Sequence, residues 1–271
     1  MRYLRFFALA AVAVLSTGCI RATYTLNLKP DGSGTIHQTM AMTSMAMQQA
    51  GLVMGATEGG SLMPTPEKLR AAAEQMGKGV RFVSSTPYKT GGFDGVTAIY
   101  AFDDIRTLAL SMDKMMAAGL DAPMAEKASG AELKLAFARD GNTTNLTLMM
   151  PPLPTPDADA QATAQKAAKD AGIPSNMPPE AMAMMKQMLT GLLFEVALNV
   201  EGTIVSTNAP FVDGNRILLL QLDGTELLKG GLNMGQIMSM STTGAANLEE
   251  TLRKTPGVKF VTIPELKVSF R

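Results

Sequence analysis

The sequence predicts an α+β fold, with antiparallel sheet or sheets and interspersed helices in one domain. Three observations carry that expectation. Residues 22–42 and 133–150 each alternate apolar and polar side chains on both sides of a turn, the pattern of a half-buried hairpin. Thr65-Pro66-Glu67 opens a stretch with apolar residues at helical spacing. No internal repeat of fixed period interrupts this succession of strands and helices.

In the first hairpin, Tyr24, Leu26 and Leu28 alternate with Thr25 and Asn27, and Ile36, Met40 and Met42 with His37 and Thr39. Between them Lys29-Pro30-Asp31-Gly32-Ser33-Gly34 supplies turn chemistry: proline presets φ, and glycine permits positive φ. Residues 44–63 are rich in Met, Ala and Gly and read as a loose helix or loop. The helix after Thr65 presents Leu69, Ala72, Ala73 and Met76 and stops at Gly77 and Gly79. Strands are expected near 80–86 and 95–102, joined by residues 90–95, and Asp103-Asp104 begins a short helix toward Leu110 and Met116.

In the second hairpin Leu133, Leu135 and Phe137 face Leu146, Leu148 and Met150 across Asp140-Gly141-Asn142. Residues 151–178 turn to Pro, Ala, Asp, Gln and Lys, an excursion with almost no bulky apolar groups. A helix follows from about Pro178 to Leu193, with Met182, Met185, Leu189 and Leu193 on one face. Strands are expected at 194–201, 203–207 and 216–222, then a short helix capped by Asp223, a helix at 245–254, and extended runs at 258–263 and 266–270.

The N-terminus has a different character. Arg2 and Arg5 precede the apolar run Phe6–Leu15, and Ser16-Thr17-Gly18 provides the small residues of a cleavage site before Cys19. Ending on the protein's sole cysteine, this stretch resembles the lipobox of bacterial lipoproteins, with Leu15 four places before the cysteine where the family usually has three. The resemblance implies a signal peptide over 1–18, a diacylglyceryl or acyl lipid on Cys19, and a mature domain over 19–271. Several acyl chains hold a protein stably on a membrane where one does not. The apolar run is too short for a membrane-spanning helix, which needs about 20 such residues. Ile20 rather than Asp after Cys19 implies, for a cell with two membranes, delivery to the periplasmic face of the outer membrane.

Lys and Arg number 24, as do Asp and Glu; without Arg2 and Arg5 the mature part holds 22 basic against 24 acidic residues. That balance argues against a nucleic-acid partner and leaves the lipid as the membrane anchor. With Cys19 acylated no thiol remains for a disulfide, so packing alone stabilises the fold.

A second resemblance concerns the domain itself. Cys19, an alternating strand, Asp31-Gly32-Ser33-Gly34 and a further strand look like the start of the LppM-type lipoprotein domain. Gly202-Thr203-Ile204-Val205-Ser206-Thr207-Asn208-Ala209 and Gly214-Asn215-Arg216-Ile217 are similar to a later passage of that family, although Leu219-Leu220-Gln221-Leu222 stands where an aromatic residue commonly closes the strand. The resemblance implies an α/β domain with a lipid-holding cavity in the cell envelope. Met182, Met185, Leu189 and Leu193 are candidate lining residues on the helical face alone.

No catalytic signature is expected. Ser111-Met112-Asp113-Lys114 and Lys89-Thr90-Gly91 match two short strings of penicillin-interacting enzymes, but in the wrong order and without the third. Asp103 and Asp104 suit a helix start better than a carboxylate pair. His37, the single histidine, sits on the polar side of its strand, and no metal site is expected around it. No cofactor other than the covalent lipid is expected. The 22 methionines include Met40, Met42, Met45 and Met47 and a second group at Met177, Met182, Met184, Met185 and Met188. They admit three readings: core filling, an adaptable lining for acyl chains, or Cu(I) ligation. The function classes left open are a lipid- or amphiphile-binding envelope lipoprotein, a structural or adaptor lipoprotein for an envelope protein partner, and a periplasmic copper protein.

Overall fold

The structure, a computed structural model, describes residues 20–48, 63–111, 133–150, 186, 189–230 and 254–271. Its elements in chain order are β1 (Ile20–Leu28), β2 (Gly34–Thr43), α1 (Pro66–Met76), β3 (Arg81–Thr90), β4 (Phe93–Phe102), a 3-10 turn at Ile105–Thr107, β5 (Lys134–Asp140), β6 (Thr143–Met149), β7 (Leu193–Val200), β8 (Ile204–Thr207), β9 (Val212–Asp213), β10 (Arg216–Asp223), α2 (Gly224–Lys229), β11 (Val258–Phe260) and β12 (Glu265–Phe270). Cys19, Met182, Met185, the excursion at 151–178 and most of the helix expected at 245–254 lie outside the described residues.

Two sheets form. The larger runs β11-β10-β7-β1-β2-β4-β3 with β9 added on β10, and the smaller runs β5-β6-β12-β8. The α+β expectation holds, with one addition: β1 pairs with β7 in parallel, Arg21 opposite Leu193 through Leu28 opposite Val200. The buried faces of the two sheets share one core that includes Leu28, Tyr100, Phe102, Leu198 and Ile217 from the larger and Leu146, Leu148, Leu266, Val268 and Phe270 from the smaller.

The first hairpin forms as its alternation requires, Ile20 opposite Met42 through Leu28 opposite Gly34. Its turn is closed by Lys29 N–H to Ser33 carbonyl (2.9 Å), with Gly32 at φ 90°. The Asp31 carboxylate accepts from the Ser33 amide (2.9 Å) and hydroxyl (2.8 Å), which lowers its pKa. The turn also ties the sheets together, since Thr144 Oγ1 donates to the Pro30 carbonyl at 2.9 Å.

Some boundaries differ from the sequence reading. β3 continues to Thr90, and its partner begins at Phe93, so only Gly91-Gly92 forms the turn where a longer loop was expected. Asp103-Asp104 leads into a single 3-10 turn rather than a helix reaching Leu110. Leu193 does not end a helix; it is the first residue of β7. Asp223 caps α2 as expected, its Oδ1 accepting from the Thr225 and Glu226 amides at 2.9 and 3.1 Å.

Asn208 and Asn215 are fasteners. Asn208 Oδ1 accepts from the Lys267 amide (2.7 Å) while its Nδ2 donates to the Glu265 carbonyl (2.8 Å), and Asn215 Nδ2 donates to the Val200 carbonyl (2.9 Å). Each fastens neighbouring backbone within one sheet, Asn208 in the smaller and Asn215 in the larger.

Candidate functional site

Among the described residues, an apolar cavity of about 70 Å³ lies between the sheets. Tyr24, Leu26 and Ile36 of the first hairpin form one wall, and Leu135 and Leu148 of the smaller sheet face them. Val196 and Leu219 extend the floor, while Ala72, Gln75 and Met76 of α1 and the strap Ala109-Leu110-Ser111 make the rim with Leu133.

Local chemistry places that rim. Thr65 Oγ1 accepts from the Lys68 amide and Pro66 occupies the first helical turn, so α1 starts where its N–H groups are otherwise unpaired. Leu69, Ala73 and Met76 then face the core. At its end Gly77 has φ 144°, and a Cβ there would collide with the Thr107 carbonyl oxygen. This close approach lets the strap bind the helix end: Ala109 N–H donates to the Met76 carbonyl at 2.7 Å, and Leu133 N–H to the Leu110 carbonyl at 2.8 Å.

The cavity carries no charge. Its polar groups are Gln75 and Ser111 at the rim and the Tyr24 hydroxyl, which accepts from Gln38 Nε2 at 2.7 Å. Gln38 Nε2 also lies 3.2 Å from Met40 Sδ. Burial pushes the Tyr24 pKa far up; nearby Tyr100 adds to this, and the Gln38 hydrogen bond opposes it. Burial alone pushes the Tyr100 hydroxyl up to about 12. Both phenols are neutral at physiological pH. Such walls remove apolar surface from water, worth about 25 cal/mol per Å² buried.

Size limits the occupant. A water fills about 10–15 Å³ of such a cavity, and sites that enclose drug-sized ligands span about 300–1,000 Å³. At about 70 Å³ the space suits a few carbons of a single alkyl chain rather than a two-chain lipid.

A polar depression of about 430 Å³ lies elsewhere, lined by Glu195, Phe211, Asp213, Arg216, Gln221 and Lys259 among others. Its principal charges already pair: Arg216 donates to the Glu195 carboxylate, and Gln221 Nε2 lies 3.4 Å from the other Glu195 oxygen.

Of the sequence candidates, Leu189 and Leu193 are half-buried and neither lines the cavity; Met182 and Met185 lie outside the described residues. The lining comes instead from Tyr24, Leu26, Ile36, Leu135 and Leu148, residues of the two hairpins whose alternation marked them as core. Ala72 and Ala109 are the available signal, small side chains at core-facing positions that leave space. Met40 and Met42 are buried in β2, whereas Met45 is exposed. Ser111 is fully buried, and Lys89 pairs with Asp94 at 3.4 Å. Asp103 binds Arg81 in bidentate fashion (2.6 and 3.0 Å), and Asp104 caps the 3-10 turn and binds Arg106, so each carboxylate pKa is lowered by its arginine. His37 is exposed, and no group of three or more His, Cys, Asp or Glu gathers as a metal site among the described residues.

No protein-family model matches the chain, and no curated protein matches it. Among solved structures, the NMR structure of the folded domain of the Mycobacterium tuberculosis LppM protein is similar at 11% identity and a TM-score of 0.34, over 93% of this chain and 90% of that one.

Proposed function

We propose that the mature chain is a lipid-anchored envelope lipoprotein without catalytic activity that holds the alkyl part of a single-chain amphiphile between its two sheets. The observation that carries this reading is the uncharged apolar cavity, walled by both hairpins and rimmed by α1 and its strap. The N-terminal stretch ending on Cys19 supports the anchor. The size of the cavity supports one chain over two, because a diacyl lipid would require a much larger opening. The polar end of the amphiphile lies at the rim, beside the exposed Gln75.

The test is native mass spectrometry of the chain from residue 19 carrying Cys19→Ser, before and after incubation with a fatty acid and with lysophosphatidylcholine, followed by organic extraction. The expected result is a one-to-one adduct that extracts as a single-chain amphiphile. Ala72→Leu, which adds apolar bulk at the rim, removes the adduct while the circular dichroism spectrum is unchanged. A clean apo mass under all conditions overturns the cavity reading. An adduct that persists unchanged in Ala72→Leu moves the ligand elsewhere.

A further inference from the structure

We propose that the protein stands edge-on against a lipid bilayer, held there because no linker separates the acylated residue from the sheet. This rests on the anchored reading above. β1 begins at Ile20, the residue directly after Cys19, and Ile20 is already in register with Met42 and Arg21 with both Ala41 and Leu193. One strand residue advances about 3.3 Å, whereas a flexible linker gives a domain freedom that grows with its length. Here that length is nil. Acyl chains on Cys19 would hold the first rung of the sheet at headgroup level.

The register shows what shares that level. Thr43 ends β2 opposite Phe93, which starts β4 and faces Thr90 at the end of β3. Leu193 starts β7 opposite Asp223, the last residue of β10, and Leu222 faces Val258 at the start of β11. The starts or ends of seven strands thus form one rim, with Ile20 near its middle.

The rim suits a bilayer. Next to Thr43, Met45 is 49% exposed, one of few large apolar side chains in water among the described residues. Gly91, Gly92, Thr190 and Pro256 are exposed and carry no charge. Among the described residues, Lys89 pairs with Asp94 and Lys229 with Glu226, and Arg21, Lys186 and Lys254 stand beside the single further acid Asp223, an excess that an anionic leaflet attracts. The Arg21 guanidinium lies 4.4 Å over the Phe93 ring, a cation fixed at the rim. At the other end of β1, about 30 Å away at strand rise, the turn carries Lys29 and Asp31, and the exposed ion pairs Arg81–Asp103 and Arg106–Asp104 lie beside it, charged groups that favour water.

The test uses acylated protein on vesicles of phosphatidylcholine and phosphatidylglycerol, where lipid blocks Cys19 and a single new cysteine takes a fluorescent label. Met45→Cys and Thr190→Cys probe the rim, and Lys29→Cys and Gly141→Cys the far side. Headgroup-labelled quencher lipids are expected to quench the first pair and leave the second pair bright. A long Gly/Ser insertion between Cys19 and Ile20 is expected to abolish the difference. An acylated, vesicle-bound protein with equal quenching at all four positions overturns the orientation alone, and a difference that survives the insertion overturns the missing linker as its cause. A mature mass without the lipid overturns the anchored reading and this one with it.

Discussion

Tyr24 and Gln38 offer a direct measure of how the buried wall of the cavity is held. The Gln38 amide donates to the Tyr24 hydroxyl at 2.7 Å, and each side chain is 3% exposed, so water does not replace the bond when one partner is removed. Leaving a buried polar group without its partner costs about 1–3 kcal/mol. After Tyr24→Phe the Gln38 amide loses this short bond and keeps the longer contact with Met40 Sδ at 3.2 Å, which puts the expected cost near 2 kcal/mol. Gln38→Leu removes the same bond from the other side and is expected to cost a similar amount. The double variant replaces the pair by apolar groups of similar shape and is expected to fall short of the summed singles by about 1–2 kcal/mol. In a domain of this size each single change lowers the melting temperature by about 4–8 °C, taking roughly 2–4 °C per kcal/mol. Urea unfolding followed by far-ultraviolet circular dichroism measures all four proteins, the chain having no tryptophan to report by fluorescence. Single costs that add to within about 0.5 kcal/mol would refute the reasoning, since uncoupled residues do not share a hydrogen bond.

Three further outcomes are expected. Phe270→Ala empties a fully buried site in β12, between β6 and β8, and should cost about 3–5 kcal/mol; a urea midpoint close to the parent's would place that strand outside the core. Asp223→Ala removes the oxygen that caps two amides of α2 and should cost about 1 kcal/mol, whereas Asp223→Asn should recover most of it. Because the folded state raises the Tyr24 and Tyr100 pKa values above that of an unfolded tyrosine near 10, the folded state binds more protons in alkali. Stability is therefore complete below about pH 10 and falls above it by about 1.4 kcal/mol per pH unit for each tyrosine; Tyr100 stops contributing near pH 12. Unfolding free energies measured from pH 9 to 11 that stay level would contradict this burial.

The hairpins were legible because each places a run of alternating residues on either side of a turn that only glycine, proline and aspartate form well. Thr65 and Asp223 were legible as caps for the same local reason. The parallel pairing of β1 with β7 was not, because Val196, Leu198 and Val200 alternate identically whichever way the partner runs. β3 was read short because it is an edge strand: Thr86, Pro87, Lys89 and Thr90 are exposed and leave no buried phase to follow. Phe93 lies within glycines and was read as loop, yet it is buried under Arg21. Gln38 interrupts the apolar phase of β2, a polar residue at a core position, and in the structure it meets Tyr24 there. The positions that line the cavity are hard to read for a related reason. Methionine clusters advertise bulk, whereas a void is marked by what is small, and Ala72 and Ala109 look like any other alanines in a list of residues.

The partnership of β1 and β7 also sets a timetable. The side chains of Asn27 and Asn199 hydrogen-bond at 3.0 Å although 172 residues separate them. Closing a flexible loop of that length costs about 4.6 kcal/mol in chain entropy beyond a constant, so this contact forms late. A chain threaded N-terminus first through a translocation channel would deliver β1 to β4 well before β7. For that interval one side of β1 would present its amides and carbonyls unpaired, the condition in which strands join neighbouring chains. The open edge then passes to β7 when residue 200 arrives, and is covered only when β10 follows at residues 216–223, so a holding chaperone would matter most between the fourth strand and that point.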